Sequence, residues 1–76
     1  MLGIPNSLPV ESSLMKDIGY DPDEKELYIY FHKGGLLKYS GVPNEAWEEF
    51  SRSDSKGKHF HAVIKPRYTE FKRVEL

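Results

Sequence analysis

Cysteine is absent from the 76 residues, so neither a disulfide nor a thiolate metal site can brace the fold, and a reducing, cytoplasmic setting is expected. Long apolar runs are absent too. The amino-terminal MLGIPNSLPVESS is broken by Pro5, Asn6, Ser7 and Pro9 and has no cationic start, which fits neither a secretory leader nor a membrane span. From residue 52 onward no apolar run exceeds three residues, and no membrane partner is expected. Net charge is small, −1 with neutral histidines, which argues against a generic polyanion binder. A chain this short buries only about 60% of the surface its unfolded form exposes, so it builds one small core. Tryptophan occurs once; five tyrosines and four phenylalanines must supply much of the core volume.

The near-neutral average conceals a division. Residues 1–51 carry four lysines against nine acids, net −5, whereas residues 52–76 carry seven cations against three acids, net +4. Either the halves attract one another across the fold or the basic one faces an anionic partner. No internal repeat, low-complexity run or linker interrupts the chain, so residues 1–9 read as an extended arm and 10–76 as a single domain.

Periodicity gives the elements. LMKDIGYD reads as a short strand ending in Asp21-Pro22-Asp23, a turn signature whose proline fixes φ and whose aspartates can bond nearby amides. ELYIYF alternates, with Leu27, Ile29 and Phe31 on one side of a strand and Tyr28 and Tyr30 on the other. Lys33-Gly34-Gly35 turns the chain back into LLKYSG, giving a β-hairpin. Pro43 suits the first position of a helix that sets Trp47 and Phe50 on one face, with Glu45, Glu48 and Glu49 toward water near its start.

SRSDSKGKHFHAVIKPRY, residues 51–68, admits a strand with Phe60, Ala62 and Ile64 on one face, or a helix with Phe60, Val63 and Ile64 at i, i+3, i+4. The helix is preferred: Ser53, Asp54 or Ser55 can cap it and Pro66 would end it at Lys65. RYTEFKRVEL then returns as a strand, with Phe71 and Tyr68 turned to the core. The expected fold class is α+β, a small antiparallel sheet with two short helices in the order β-β-β-α-α-β.

Several spaced motifs together resemble the KTSC domain, named for its occurrence at the C-terminus of some lysyl-tRNA synthetases. They are Val10-x-Ser12-Ser13, Ile18-Gly19-Tyr20-Asp21, Leu27-x-Ile29-x-Phe31-x-x-Gly34, Tyr39 before Val42-Pro43, Ser55-x-Gly57-x-x-Phe60 and Ile64-x-x-Arg67-Tyr68. The likeness covers residues 10 to about 74. It implies a compact stand-alone module of the kind found in bacteria and their phages, whose biochemical role is not established and which is suspected of binding RNA. The chain departs from the family pattern where a central Tyr-x-Tyr is Leu37-Lys38-Tyr39, where a usual Asn is His61, and where a usual Gly is Pro66.

Catalytic and cofactor signatures are missing. Gly57-Lys58 is no P-loop, because position 52 is Arg instead of Gly and position 59 is His instead of Ser or Thr. A helix start at Ser55 and Gly57 could still offer amides to one phosphate of a larger partner; the plainer reading makes Ser55 a cap and Gly57 a point of close packing against the preceding helix. His59 and His61 would share a face only on a strand and diverge by about 200° on a helix, so no metal is expected and His61 is placed in a helix–sheet contact. No enzymatic activity and no cofactor are expected.

A binding role rests on two features. Lys56, Lys58, Lys65, Arg67, Lys72 and Arg73 crowd the second helix and last strand, where they could meet phosphates from one side. Tyr28 and Tyr30 on a strand face, with Tyr39, could stack bases. The expected function is therefore a non-enzymatic module for RNA or single-stranded nucleic acid. The alternative is a protein-interaction adaptor or self-associating domain, with these aromatics docking a partner chain.

Overall fold

A computed structural model describes residues 6–75. It contains a five-stranded antiparallel sheet in sequential order: β1 (Leu8–Pro9), β2 (Met15–Asp21), β3 (Glu26–Phe31), β4 (Gly35–Tyr39) and β5 (Phe71–Arg73). The helices lie between β4 and β5. They are α1 (Asn44–Arg52), then a continuous helix that is α-helical over Lys56–His59 (α2), π-helical over Phe60–Ile64 and α-helical again over Lys65–Arg67 (α3). The expected α+β class and order hold, with one strand added: Leu8–Pro9 of the arm pairs with β2, Leu8 opposite Ile18. The first five residues of the expected arm lie outside the described residues.

Each turn has a local cause. The Asp21 Oδ1 accepts hydrogen bonds from the amides of Asp23 at 3.0 Å and Glu24 at 3.2 Å, closing the bend between β2 and β3. Lys25 finishes that bend at φ 56°, a left-handed conformation that crowds a Cβ. Lys25→Gly relieves about 1–2 kcal/mol of crowding against roughly 0.5–1 kcal/mol of added chain entropy. A small rise in the urea midpoint is the expected result. Gly35, at φ +78°, makes the corresponding reversal at the start of β4.

The β2–β3 register slips between Met15 and Asp17. With strict alternation Met15 and Ile18 would face opposite ways; the bulge at Lys16 lets both point inward, and both are fully buried. The core lies on that inner face, where Met15, Ile18, Tyr20, Leu27, Ile29, Phe31 and Tyr39 meet Phe50, Phe60 and Ile64 from the helices. Phe60 is the keystone of the helix side: its ring sits edge-on to Phe31 at 5.3 Å and to Tyr39 at 5.9 Å. Tyr20 stacks on Trp47 at 5.5 Å and donates a 2.5 Å hydrogen bond to the Val42 carbonyl, fixing α1 to the sheet.

Two helix boundaries differ from expectation. Pro43 is the residue before α1 rather than its first, and its carbonyl accepts from Ala46 and Trp47. Pro66 does not stop the second helix; it lies inside α3, and the Tyr68 amide still reaches the Ile64 carbonyl at 2.9 Å. The preceding π-helical turn explains this, because the wider turn, with the Lys65 amide bonded to the Phe60 carbonyl, relaxes the approach of a proline ring to the carbonyl four residues back.

Burial raises the pKa of Tyr20, with Glu45 and Asp21 adding to it, and burial alone raises that of Tyr39. Both folded values exceed the unfolded one, so their neutral forms support the fold fully below the unfolded value near pH 10. That support is lost as pH rises through the folded values. Thermal melts are expected to hold level from pH 7 to about 9.5 and to fall steeply above pH 10, less steeply in Tyr20→Phe.

Candidate nucleic-acid interface

Among the described residues the helices pack on one face of the sheet and none covers the other, where Leu36 is nonetheless only 3% exposed. Alternation from the buried Leu27, Ile29 and Phe31 puts Tyr28 and Tyr30 on this outer face, and both are partly exposed. Register builds two rows across it. Gly19, Tyr28, Lys38 and Lys72 follow one another from β2 to β5, and Asp17, Tyr30 and Leu36 form the row beside them. The bulged Lys16 sets its ammonium 5.3 Å from the centre of the Tyr30 ring.

Lys38 and Lys72 stand directly opposite one another, an arrangement that repels unless an anion intervenes. Lys38 is partly answered by Glu26 at 3.4 Å, the ion pair found among the described residues. Both partners of that pair belong to the acidic half of the chain, so attraction between the halves, one of the two alternatives, produces no ion pair among the described residues. Partial burial and then the Glu26 carboxylate raise the pKa of Tyr28, which keeps its hydroxyl neutral. The face thus sets two tyrosine rings beside three lysines, with Asp17 and Asp21 on β2 and Glu26 on β3 reaching Lys38.

The expected cations do not all join it. Lys72 lies in the Tyr28 row, but Arg73 pairs with Leu37 and so belongs to the inner face. Lys56 and Lys58 line a cleft of about 860 Å³ between residues 11–14 and the start of α2, Lys65 lies beside the β3–β4 turn, and Arg67 faces a groove with Glu45 and Glu49. These four radiate from the helix layer, on the opposite side from Tyr28 and Tyr30. Tyr39 is also on the inner face, 3% exposed, with its ring covered by Phe60 and Phe71. It has no free ring face for a base, because its register opposite Leu27 points it into the core. Phe71, expected in the core, is instead 53% exposed on the outermost strand.

Ser55 occupies the residue before α2, yet its hydroxyl makes no capping hydrogen bond. Ser53 takes the local role, its Oγ accepting from the Ser55 amide at 3.2 Å and donating to the Ser55 carbonyl at 3.1 Å. A Cβ on Gly57 would first meet Ser12 Oγ at 3.8 Å, an ordinary contact, so glycine there answers no crowding by α1. His61 is exposed in the same cleft rather than held between helix and sheet. His59 is the partly buried histidine, its ring against Phe50 at 5.5 Å and its Nε2 enclosed without a hydrogen-bond partner among the described residues. The two point to different grooves, as a helix requires, and no group of three metal-ligating side chains occurs among the described residues. No helix among them is long and apolar enough to cross a membrane.

Lys16 and Lys38 are not among the residues the sequence singles out, because charge clustering gives weight to the basic C-terminal third. Lys38 could have been found there, since alternation in the hairpin sets it across from Tyr28. Lys16 could not, because nothing in MKDIGYD announces a bulge.

Known proteins share this architecture. The chain is similar to a KTSC domain protein from Yersinia pestis of known crystal structure, with a TM-score of 0.86 and 39% identity over 91% of this chain and 96% of that one. It is 35% identical over 66 residues to an uncharacterized protein of Stutzerimonas stutzeri, covering 87% of this chain and 93% of the relative. It is also 33% identical over 61 residues to a lysine–tRNA ligase of Nostoc punctiforme, where the match takes up 80% of this chain but 11% of the ligase. The KTSC domain profile matches residues 11–68, and the chain belongs to the KTSC domain family.

Proposed function

We propose that this KTSC domain is a non-catalytic binding module that takes single-stranded RNA or DNA on the outer face of its sheet. The observation that carries the reading is the juxtaposition of Tyr28 and Tyr30 with the opposed pair Lys38 and Lys72, on a face that no helix among the described residues covers. Tyrosine rings offer bases a stacking surface that is tolerant of sequence. A phosphate between Lys38 and Lys72 turns their repulsion into attraction. Lys16 adds a third cation beside Tyr30. The likeness to part of a lysine–tRNA ligase, a protein whose name has it act on tRNA, supports RNA as the ligand class.

The test is fluorescence anisotropy with a labelled ten-nucleotide oligouridine over a salt series. Replacing Lys38 and Lys72 by Ala is expected to flatten the plot of log affinity against log salt by about 0.7 for each phosphate that is no longer neutralised. Replacing Lys56, Lys58 and Arg67 is expected to leave the slope nearly unchanged, because those residues lie in the other layer. The reverse pattern would move the interface to the helices. Absence of binding at low salt, together with a concentration-dependent dimer in light scattering, would replace nucleic acid by a second copy of the chain.

A further inference from the structure

On the inner side of the sheet, the end of the β3–β4 hairpin and Phe60 of the π-helical turn border a second, open recess of about 360 Å³. Leu14, Phe31, Leu37 and Phe60 form its apolar wall, and Lys33 and Lys65 stand at its edge. No Asp or Glu lines it, in a chain with twelve of them, and neither lysine has a carboxylate within salt-bridge distance among the described residues. Arg73 stands across from Leu37 in register, outside the lining, its Nη1 3.9 Å from where a Cβ on Gly35 would stand.

The walls are held in place by local bonds. The His32 amide donates to the Leu14 carbonyl at 3.1 Å and the His32 ring bonds the Ser12 carbonyl at 2.9 Å, fastening the 12–14 segment to the hairpin. Gly34 lets the turn lie against Phe31: a Cβ there would come 3.3 Å from the Phe31 Cβ. An apolar wall holding two phenylalanine rings, with Lys33 and Lys65 as the charged groups beside the polar Ser13 and His32, is complementary to a flat apolar molecule bearing one negative charge. The volume is near the lower end of small-molecule sites, which run from about 300 to 1,000 Å³, and so limits the ligand to one or two rings.

We infer that this recess binds a small aromatic anion, its rings against Phe31 and Phe60 and its charged group between Lys33 and Lys65. The site is independent of the nucleic-acid reading, because Tyr28 and Tyr30 are on the opposite face of the sheet.

The experiment is an amide-shift NMR titration of the full chain with indole-3-acetate, its neutral amide and the cationic tryptamine. Indole-3-acetate is expected to shift Leu14, Gly34, Leu37 and Lys65, the amide to bind about tenfold more weakly, as removal of one charge-assisted hydrogen bond implies, and tryptamine to give no saturable shift. In Lys33→Ala/Lys65→Ala, whose replaced side chains are exposed, the preference for the acid over the amide should disappear while the spectrum stays folded. Equal binding of all three probes, shifts centred elsewhere, no shifts at low-millimolar indole-3-acetate, or an undiminished preference in the double variant would each overturn the assignment.

Discussion

Phe60→Ala is expected to remove a large share of the stability of the fold. Phe60 is 5% exposed, and its ring meets Phe31 and Tyr39 edge-on, so truncation both removes buried area and opens a cavity between the π-helical turn and the sheet. Substitutions of this kind cost about 3–5 kcal/mol. A domain of this length has roughly 4–11 kcal/mol of stability in total, at about 0.05–0.15 kcal/mol per residue. Since 1 kcal/mol moves the melting temperature of so small a domain by about 4–8 °C, a fall of about 12 °C or more is expected in calorimetry. Phe60→Leu, which keeps most of the apolar volume, should lose less than half as much. A loss under about 1 kcal/mol for the alanine variant would mean that the helix layer is not anchored through this ring.

The second large effect concerns binding. Tyr28→Ala/Tyr30→Ala should reduce affinity for oligouridine by about a hundredfold, since base–aromatic stacking contributes about 1–3 kcal/mol per base. The fold should survive, because neither residue belongs to the buried core and their strand is held from its inner face by Leu27, Ile29 and Phe31. Phenylalanine at both positions keeps the ring faces and should retain most of the affinity. If alanine and phenylalanine variants both bind like the parent chain, stacking on this face plays no part.

Much of this architecture is legible in the residues. The alternation of ELYIYF locates β3 and its two faces, the Asp21-Pro22-Asp23 bend marks the end of β2, and the spacing of Trp47 and Phe50 gives α1 its inner side. The helix within residues 51–68 is legible too, because Phe60 and Ile64 at i, i+4 both reach the core. The failures have common physical causes. The local preference of Pro66 points to a helix end, whereas the π-helical turn before it makes room for the ring. The two-residue β1 carries no periodicity at all, and its pairing with β2 is a tertiary event.

The site is legible only in part. Strand alternation shows that Tyr28 and Tyr30 share a face, but the cations nearest them emerge only through register, which is not local information. Clustering in sequence suggests that Lys56, Lys58, Lys65 and Arg67 join Lys72 and Arg73. A helix turning through 100° per residue instead spreads the first four around its axis, and strand alternation sends Lys72 and Arg73 to opposite faces. Tyr39 shows the same lesson from the other side, since its place opposite Leu27 decides its burial.

The most direct test of the proposed interface is an NMR titration of the labelled chain with short single-stranded RNA, at low and then physiological salt. Binding on the outer face predicts shifts at Lys16, Tyr28, Tyr30, Leu36, Lys38 and Lys72 that weaken as salt rises, with Lys56, Lys58 and Arg67 unmoved. Shifts confined to the helix layer, or none at low salt, would contradict it.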